Sequence, residues 1–314
     1  MHRNLRHPHS PAAATCFAFV FCLVAPLSVA QQPTASSIPE LKSRAESGDF
    51  SAQNQLSQFL LDKDPSAPGY DSALSWLRGN ASQTNFHSQF LLGYLYEHGH
   101  GVPRDYAQAA RYYEAAADQG HHASQNNLAG LYQHGLGVRR NFSKAFELYL
   151  AAARQNDPVA QSNLAAMYYG GQGTPRNFTE AAHWFRAAAD TGDPVGQHDL
   201  GVLYYKGQGV PLDYNVAAHW VALAAQQGHP YAACDLGYLY ENGRGVPLDY
   251  VAAYTWYSRA AASGDARAAA HLKSLSQIMS RRQLDEANLL VPSQTSQPWP
   301  RSASSPSLSL LPNP

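Results

Sequence analysis

The stretch Leu128-Ala129-Gly130-Leu131-Tyr132-Gln133-His134-Gly135-Leu136-Gly137-Val138 returns, with substitutions, every 36 residues along this 314-residue chain. Its glycine pair Gly135/Gly137 has counterparts in Gly99/Gly101, Gly171/Gly173, Gly207/Gly209 and Gly243/Gly245. Tyr132 is matched by Tyr96, Tyr168, Tyr204 and Tyr240, and Leu128 by Leu56, Leu92, Leu164, Leu200, Leu236 and Leu272. A fixed period between 20 and 50 residues marks stacked supersecondary units, none of which can bury its apolar face alone. The predicted fold is therefore all-α: an α/α solenoid of about six to seven helix-turn-helix units.

Each unit reads as two helices. Ser124, Leu128, Leu131, Tyr132 and Gly135 fall on one stripe of a helix of about four turns. Glycine suits the left-handed residue just past a helix C-terminus, and the second glycine lets the chain reverse. Asp105, Asn141, Asn177, Asp213 and Asp249 follow one period apart and are the residue types that cap helix N-termini; Glu180 extends the reading at Asn177 to a capping box. The second helix carries an aromatic (Tyr106, Phe142, Phe178, Tyr214, Tyr250), an alanine (Ala109, Ala145, Ala181, Ala217, Ala253) and later alanine pairs such as Ala152-Ala153 and Ala188-Ala189. Small residues beside rings let helices approach to roughly 8–10 Å while the rings fill the gaps.

The Leu-Gly-x-Leu-Tyr-x-x-Gly-x-Gly-Val run, the Asp-Tyr pair and the Ala-Ala-x-x-Gly-Asp ending resemble Sel1-like repeats, relatives of the tetratricopeptide repeat with a longer loop. The resemblance covers roughly residues 48 to 279. It implies a non-enzymatic protein-interaction scaffold in which the first helices of the units line the concave face. Some cysteine-rich secreted Sel1-like proteins are linked to β-lactam hydrolysis or binding through a cysteine pair in each repeat; this chain lacks those pairs.

The solenoid is expected over 48–290. The unit from Gly48 to Gln83 keeps Leu56, Tyr70, Ala73 and Trp76 but has Lys63-Asp64-Pro65 in place of the glycine loop, as a capping unit would. At the other end Leu272, Leu275 and Met279 mark a first helix, and Ser280 to Gln283 opens a short last one, which gives seven pairs. Residues 291–314, rich in proline and serine, read as a disordered tail, and 31–47 as a flexible leader.

Residues 1–30 read as a secretory signal peptide. Arg3 and Arg6 precede an apolar run from about Ala12 to Val24, and Ser28-Val29-Ala30 supplies a cleavage site after Ala30. That run falls short of the roughly 20 residues that span a bilayer. The expected location is periplasmic or extracellular, with no membrane span after cleavage. Cleavage takes two of the 22 basic residues and leaves 20 against 23 acidic ones, a formal charge of −3, which is no footprint for nucleic acid. It also leaves Cys234 as the one cysteine, so repeat packing and not disulfides has to stabilise a monomer.

Partner-binding residues are expected on the first helices, at positions away from the packing stripe: Tyr94, Glu97, His98, His134, Tyr169, Tyr205, Tyr238 and Glu241. These positions vary from unit to unit inside a fixed frame, as a specific surface requires, and tyrosines are frequent binding hot spots. The alternative for them is packing against the next repeat. His98 and His134, one period apart, could share a metal, although no Cys or carboxylate is fixed beside them; no cofactor or catalytic constellation is expected. The alternatives in function are an envelope enzyme, such as a β-lactamase-like protein or cell-wall hydrolase, and a peptidoglycan or glycan binder stacking sugars on the same tyrosines.

Overall fold

The computed structural model describes residues 37–291 and Leu310, and the expected signal peptide and nearly all of the expected tail lie outside these described residues. Among them are fifteen helices and no strand. An extra helix α1 (Ile38–Glu46) precedes seven pairs: α2 (Phe50–Asp62) with α3 (Tyr70–Ser82), α4 (Phe86–His98) with α5 (Tyr106–Ala117), α6 (His122–His134) with α7 (Phe142–Ala153), and α8 (Pro158–Gly170) with α9 (Phe178–Asp190). The series continues with α10 (Pro194–Lys206) and α11 (Tyr214–Gln226), α12 (Ala232–Asn242) and α13 (Tyr250–Ala262), and α14 (Ala266–Ile278) and α15 (Arg281–Leu290). From α1 to α14 each helix packs on its neighbours in sequence, the nearest-neighbour arrangement of a solenoid, while the last helix, α15, folds back onto α13.

The periodic residues do what their chemistry dictates. Leu56, Leu92, Leu164 and Leu200 are wholly buried, as are Ala109, Ala145, Ala181, Ala217 and Ala253 on the facing helices. Asp105, Asn141, Asn177, Asp213 and Asp249 each cap a second helix by accepting backbone N–H groups two or three residues on. At Asn177 the bonds run one way, from Thr179 and Glu180 N–H; the reciprocal capping box is formed at Ser280 and Gln283.

The loop glycines have two different tasks. The first of each pair ends the first helix with φ between +60° and +71°. The second, at Gly137, Gly173, Gly209 and Gly245, lies against the main chain where the previous unit's second helix begins, at Tyr106, Phe142, Phe178 and Tyr214. A Cβ there would overlap peptide atoms of the neighbour.

The N-terminal end departs from the expected leader over 31–47. Ile38 and Leu41 of α1 are buried against α2 and α3, so a helix and not a flexible segment covers the first unit. In that unit the missing glycine loop is replaced by a ring: Tyr70 is 1% exposed and its hydroxyl donates to Leu60 O at 3.1 Å.

Candidate functional site

The eight residues expected on a free surface are mostly engaged across the helices. Tyr94 is buried and its ring lies flat on His98, 3.9 Å between centroids, while His98 Nδ1 sits 2.8 Å from Tyr94 O. Glu97 accepts the Tyr113 hydroxyl at 2.6 Å, and Glu241 accepts Tyr257 Oη–H at 2.6 Å and lies 3.0 Å from His271 Nδ1. Burial raises the Glu97 carboxyl pKa against the pull of the Tyr113 bond, and burial lowers that of His98. Tyr169, Tyr205 and Tyr238 are half-buried, and of the eight His134 alone is exposed. The expectation that these side chains stand clear of the packing is thus corrected. Val202, in the row with Tyr94 and Tyr238, is wholly buried.

Variation at one of these rows has a structural logic. Glu97, Gln133 and Glu241 each face a core phenol, Tyr113, Tyr149 and Tyr257, and accept its proton at 2.6, 3.0 and 2.6 Å. Sixteen residues beyond Tyr169 and Tyr205 stand Phe185 and Val221, which have no hydroxyl. There the first-helix residue is released from the acceptor role and becomes a tyrosine reaching the next loop. Tyr169 Oη donates to Gln208 Oε1 at 3.2 Å, and Arg244 donates to Tyr205 Oη. The Arg244 guanidinium lies 5.4, 5.6 and 5.9 Å from the centroids of Tyr205, Tyr214 and Tyr238. Tyr205, Tyr214 and Tyr238 around this one cation form a half-exposed aromatic patch on α10, α11 and α12, and Tyr169 stands at the equivalent position one unit earlier, on α8.

The same first helices carry, nearer their N-terminal ends, a buried polar seam that sequence reasoning did not single out. Gln89, Gln125, Gln161 and Gln197, one period apart, each donate to a carbonyl eight residues back, Ala81, Ala117, Ala153 and Ala189. Beside them, Asn163 Nδ2 donates to Asn126 Oδ1 at 3.0 Å, His122 Nδ1 lies 2.8 Å from Asp157 Oδ2, and Ser162 Oγ donates to Asp193 Oδ2 at 2.7 Å. Burial pushes the Asp193 carboxyl up to about 6.

Further along, the seam becomes ionic. His198 is wholly buried, with Nδ1 3.0 Å from Asp199 Oδ1 and Nε2 2.9 Å from Asp235 Oδ2. Burial opposes the charged imidazole, yet the hydrogen bonds and charges of the two aspartates hold its pKa above the ordinary value. His229 stacks on it at 4.5 Å and is kept neutral, its pKa lowered by burial and then by the His198 charge. Arg267 Nη1 lies 4.0 Å from Asp235 Oδ1. Asp235 Oδ2 also accepts the backbone N–H of Leu310, at 3.0 Å. The available signal was Asp199 and Asp235 standing one period apart where the two preceding units have Asn127 and Asn163.

This arrangement can orient and hold main-chain and side-chain donors. Cys234 is wholly buried, and burial pushes its thiol far above the usual range, away from nucleophilic form. Among the described residues no three His, Cys, Asp or Glu side chains converge to hold a metal ion. None of the described helices is long and apolar enough to cross a membrane.

Helix pairs of one length, stacked with one loop, define an α/α repeat solenoid. The Sel1 repeat model matches residues 87–121, 122–157, 158–193, 194–229 and 230–265, more than half of the chain, and the chain belongs to the Sel1 repeat family. Its fold is similar to that of a Sel1 repeat protein from Oxalobacter formigenes, with a TM-score of 0.63 and 28% identity over 83% of this chain and 99% of that one. Weaker likenesses are to c5321, a protective antigen of uropathogenic Escherichia coli with an SLR fold (TM-score 0.37, 26% identity, 82% and 71% covered), and to a Sel1 repeat protein of Klebsiella pneumoniae subsp. pneumoniae (TM-score 0.43, 21% identity, 64% and 98% covered). No curated protein matches the chain by comparison of sequences. The Sel1-repeat fold is typical of protein–protein interaction scaffolds.

Proposed function

We propose that this chain is an exported, non-enzymatic scaffold that acts as a monomer and binds a protein partner on the face formed by its first helices. The observation that carries the reading is the row of half-exposed rings Tyr169, Tyr205 and Tyr238 on consecutive units, the last two with the Arg244 guanidinium over them. Tyrosine and arginine are the residue types over-represented among binding hot spots, because each combines a large contact area with a directed polar group. Tyr169 and Tyr205 occupy positions that their own units have freed from the phenol-accepting role. Export rests on Arg3, Arg6, the apolar run after them and Ala30.

The test replaces Tyr169 and Tyr205 together by Ala and compares native and variant baits in envelope extracts of the source cells, followed by their melting temperatures. Proteins captured by the native bait are expected to be lost from the variant, each ring being worth about 2–4 kcal/mol if it is a hot spot. Unchanged capture by a folded variant would refute this face. The export reading is checked by the intact mass of the mature protein, expected to begin at Gln31.

A further inference from the structure

The five equivalent glycine loops differ most in charge. Over the ten residues that begin at each first glycine, Arg104 is offset by Asp105, Arg176 by Glu180 and Arg244 by Asp249, and the loop at 207–216 carries Asp213 alone. The loop at 135–144 breaks this balance. It holds Arg139, Arg140 and Lys144 with no acidic residue, has Arg139 where the other four have proline, and is capped by the neutral Asn141. In a chain whose formal charge is −1, that is a concentrated exception.

The same three cations line a cavity. Its volume is about 910 Å³, and it lies between this loop and Gly173 of the next, with Tyr132, Phe142 and Ser143 in its wall. One water takes roughly 30 Å³, so the space admits a chain segment and not merely an ion. Lys144 is already engaged, donating to Glu114 at 3.1 Å and to Tyr132 Oη at 2.7 Å. Among the described residues no carboxylate pairs with Arg139 or Arg140. Both are exposed, and the Arg140 guanidinium lies 5.4 Å from the Phe142 ring centroid, a stack that steadies its plane. Charge continues on either side. Arg104 lies over Tyr106 at 5.7 Å and Arg176 over Phe178 at 5.6 Å, both exposed, so the units before and after present a guanidinium in the same pose. Each of the three sits beside the glycine five residues back, as Leu212 and Leu248 do in the next two units, which makes them one row. The row turns from cationic to apolar at Leu212, so the charged strip spans three units.

We propose that this strip is a second docking site, which takes an extended acidic segment of a protein partner and seats its neighbouring carboxylates in the cavity at Arg139 and Arg140. A guanidinium presents a planar fork of N–H donors that meets a carboxylate through two parallel bonds. Three stacked guanidinium groups in one row, with Arg139 beside the middle one, match carboxylates spaced along a chain better than one multiply charged ion. The net negative charge of the chain excludes the broad basic face that nucleic acid requires. The strip adjoins the tyrosine row, since Tyr169 meets the Phe178 ring at 5.2 Å, but the proposal stands without that row.

The experiment titrates full-length protein with a labelled hexaglutamate peptide, which the native chain is expected to bind, and with hexaglutamine, which it is expected not to bind over the same range. One variant combines Arg139→Pro, Arg140→Leu and Lys144→Val, the residue types that the fold already accommodates at Pro211, Leu212 and Val216. A second, Arg139→Gln with Arg140→Gln, leaves Lys144 and its partners alone. Both are expected to lose at least about tenfold in affinity for hexaglutamate, through the loss of charge-assisted hydrogen bonds. A third, Lys273→Gln with Arg281→Gln and Arg282→Gln, removes the same charge from α14 and α15 and is expected to stay within about twofold of native, because exposed charges beyond a Debye length are screened. Absence of native binding, full affinity in the Arg139/Arg140 variant, an equal loss in the α14–α15 variant, binding of hexaglutamine, or displacement of the peptide by millimolar inorganic phosphate each overturns the proposal. The titration involves neither cell extract nor the tyrosine row, so its failure would leave the first-helix reading standing.

Discussion

Asn126 and His198 stand two periods apart at one position of the repeat, and Asn163 and Asp235 are related in the same way. The bond between neighbouring first helices is made in both places, Asn163 Nδ2 to Asn126 Oδ1 at 3.0 Å and His198 Nε2 to Asp235 Oδ2 at 2.9 Å. The frame fixes the distance and leaves the chemistry open. An amide pair is neutral at every pH. The imidazole with its two carboxylates carries charge that burial makes costly unless every member is paired. The ionic version is also the one that receives Leu310.

The largest effect expected from this difference is on stability. Asp235→Ala removes one of the two carboxylates that pair the His198 charge and leaves its Nε2–H buried without an acceptor, and should cost about 3–5 kcal/mol. Asn163→Ala leaves one buried amide unsatisfied and should cost about 1–3 kcal/mol. Urea unfolding of both variants decides it, and equal losses would break the distinction between the two regions.

The second effect is a dependence on pH with opposite signs. His198 has a folded pKa raised from 6.5 to about 9, so the stability it contributes is complete below its unfolded value and is lost as pH rises through the folded one. His121 in the amide region has its folded pKa lowered to about 4, chiefly by burial, so it costs stability as pH falls from 6.5 toward that value. Installing the amide pair by His198→Asn with Asp235→Asn should flatten the decline in melting temperature between about pH 7 and about pH 9. A decline as steep as that of the native chain would assign it to other groups.

A smaller effect belongs to the row that trades acceptors for tyrosines. Tyr113→Phe strands the half-buried Glu97 and should cost about 1–3 kcal/mol, and adding Glu97→Tyr, which imports the Tyr169/Phe185 combination, should restore part of it. Additive losses in a double-mutant cycle would show that the two positions are independent. The smallest effect is expected at His134, exposed on the amide side, where replacement by Ala should change stability by less than about 0.5 kcal/mol in thermal unfolding.

The caps and the helix-ending glycines were legible because each acts within a few residues of itself, and the period because it repeats them along the chain. Helix α1 was not: its Ile38, Leu41 and Ala45 make too short a stripe to distinguish it from a leader until α2 and α3 supply a surface. The seam was hidden for a different reason. Its partners lie 30, 31, 35 and 37 residues apart, so a pairing exists only once the step from unit to unit is known. The variable row misled in an instructive way. Changes at Glu97, Gln133 and Tyr169 looked like freedom at single positions, whereas each answers the residue sixteen positions on.

Gly137, Gly173, Gly209 and Gly245 touch the neighbouring unit through backbone alone. That joint takes the same form whichever side chains the units carry, like parts cut to one gauge, and matching is left to the seam, where each unit has to meet its neighbour's partner. An amide-bearing unit and an ionic one can therefore share a single array on one loop geometry. The array is capped at the N-terminal end, where the first unit has Lys63-Asp64-Pro65 in that place and Tyr70 closes the joint with a ring.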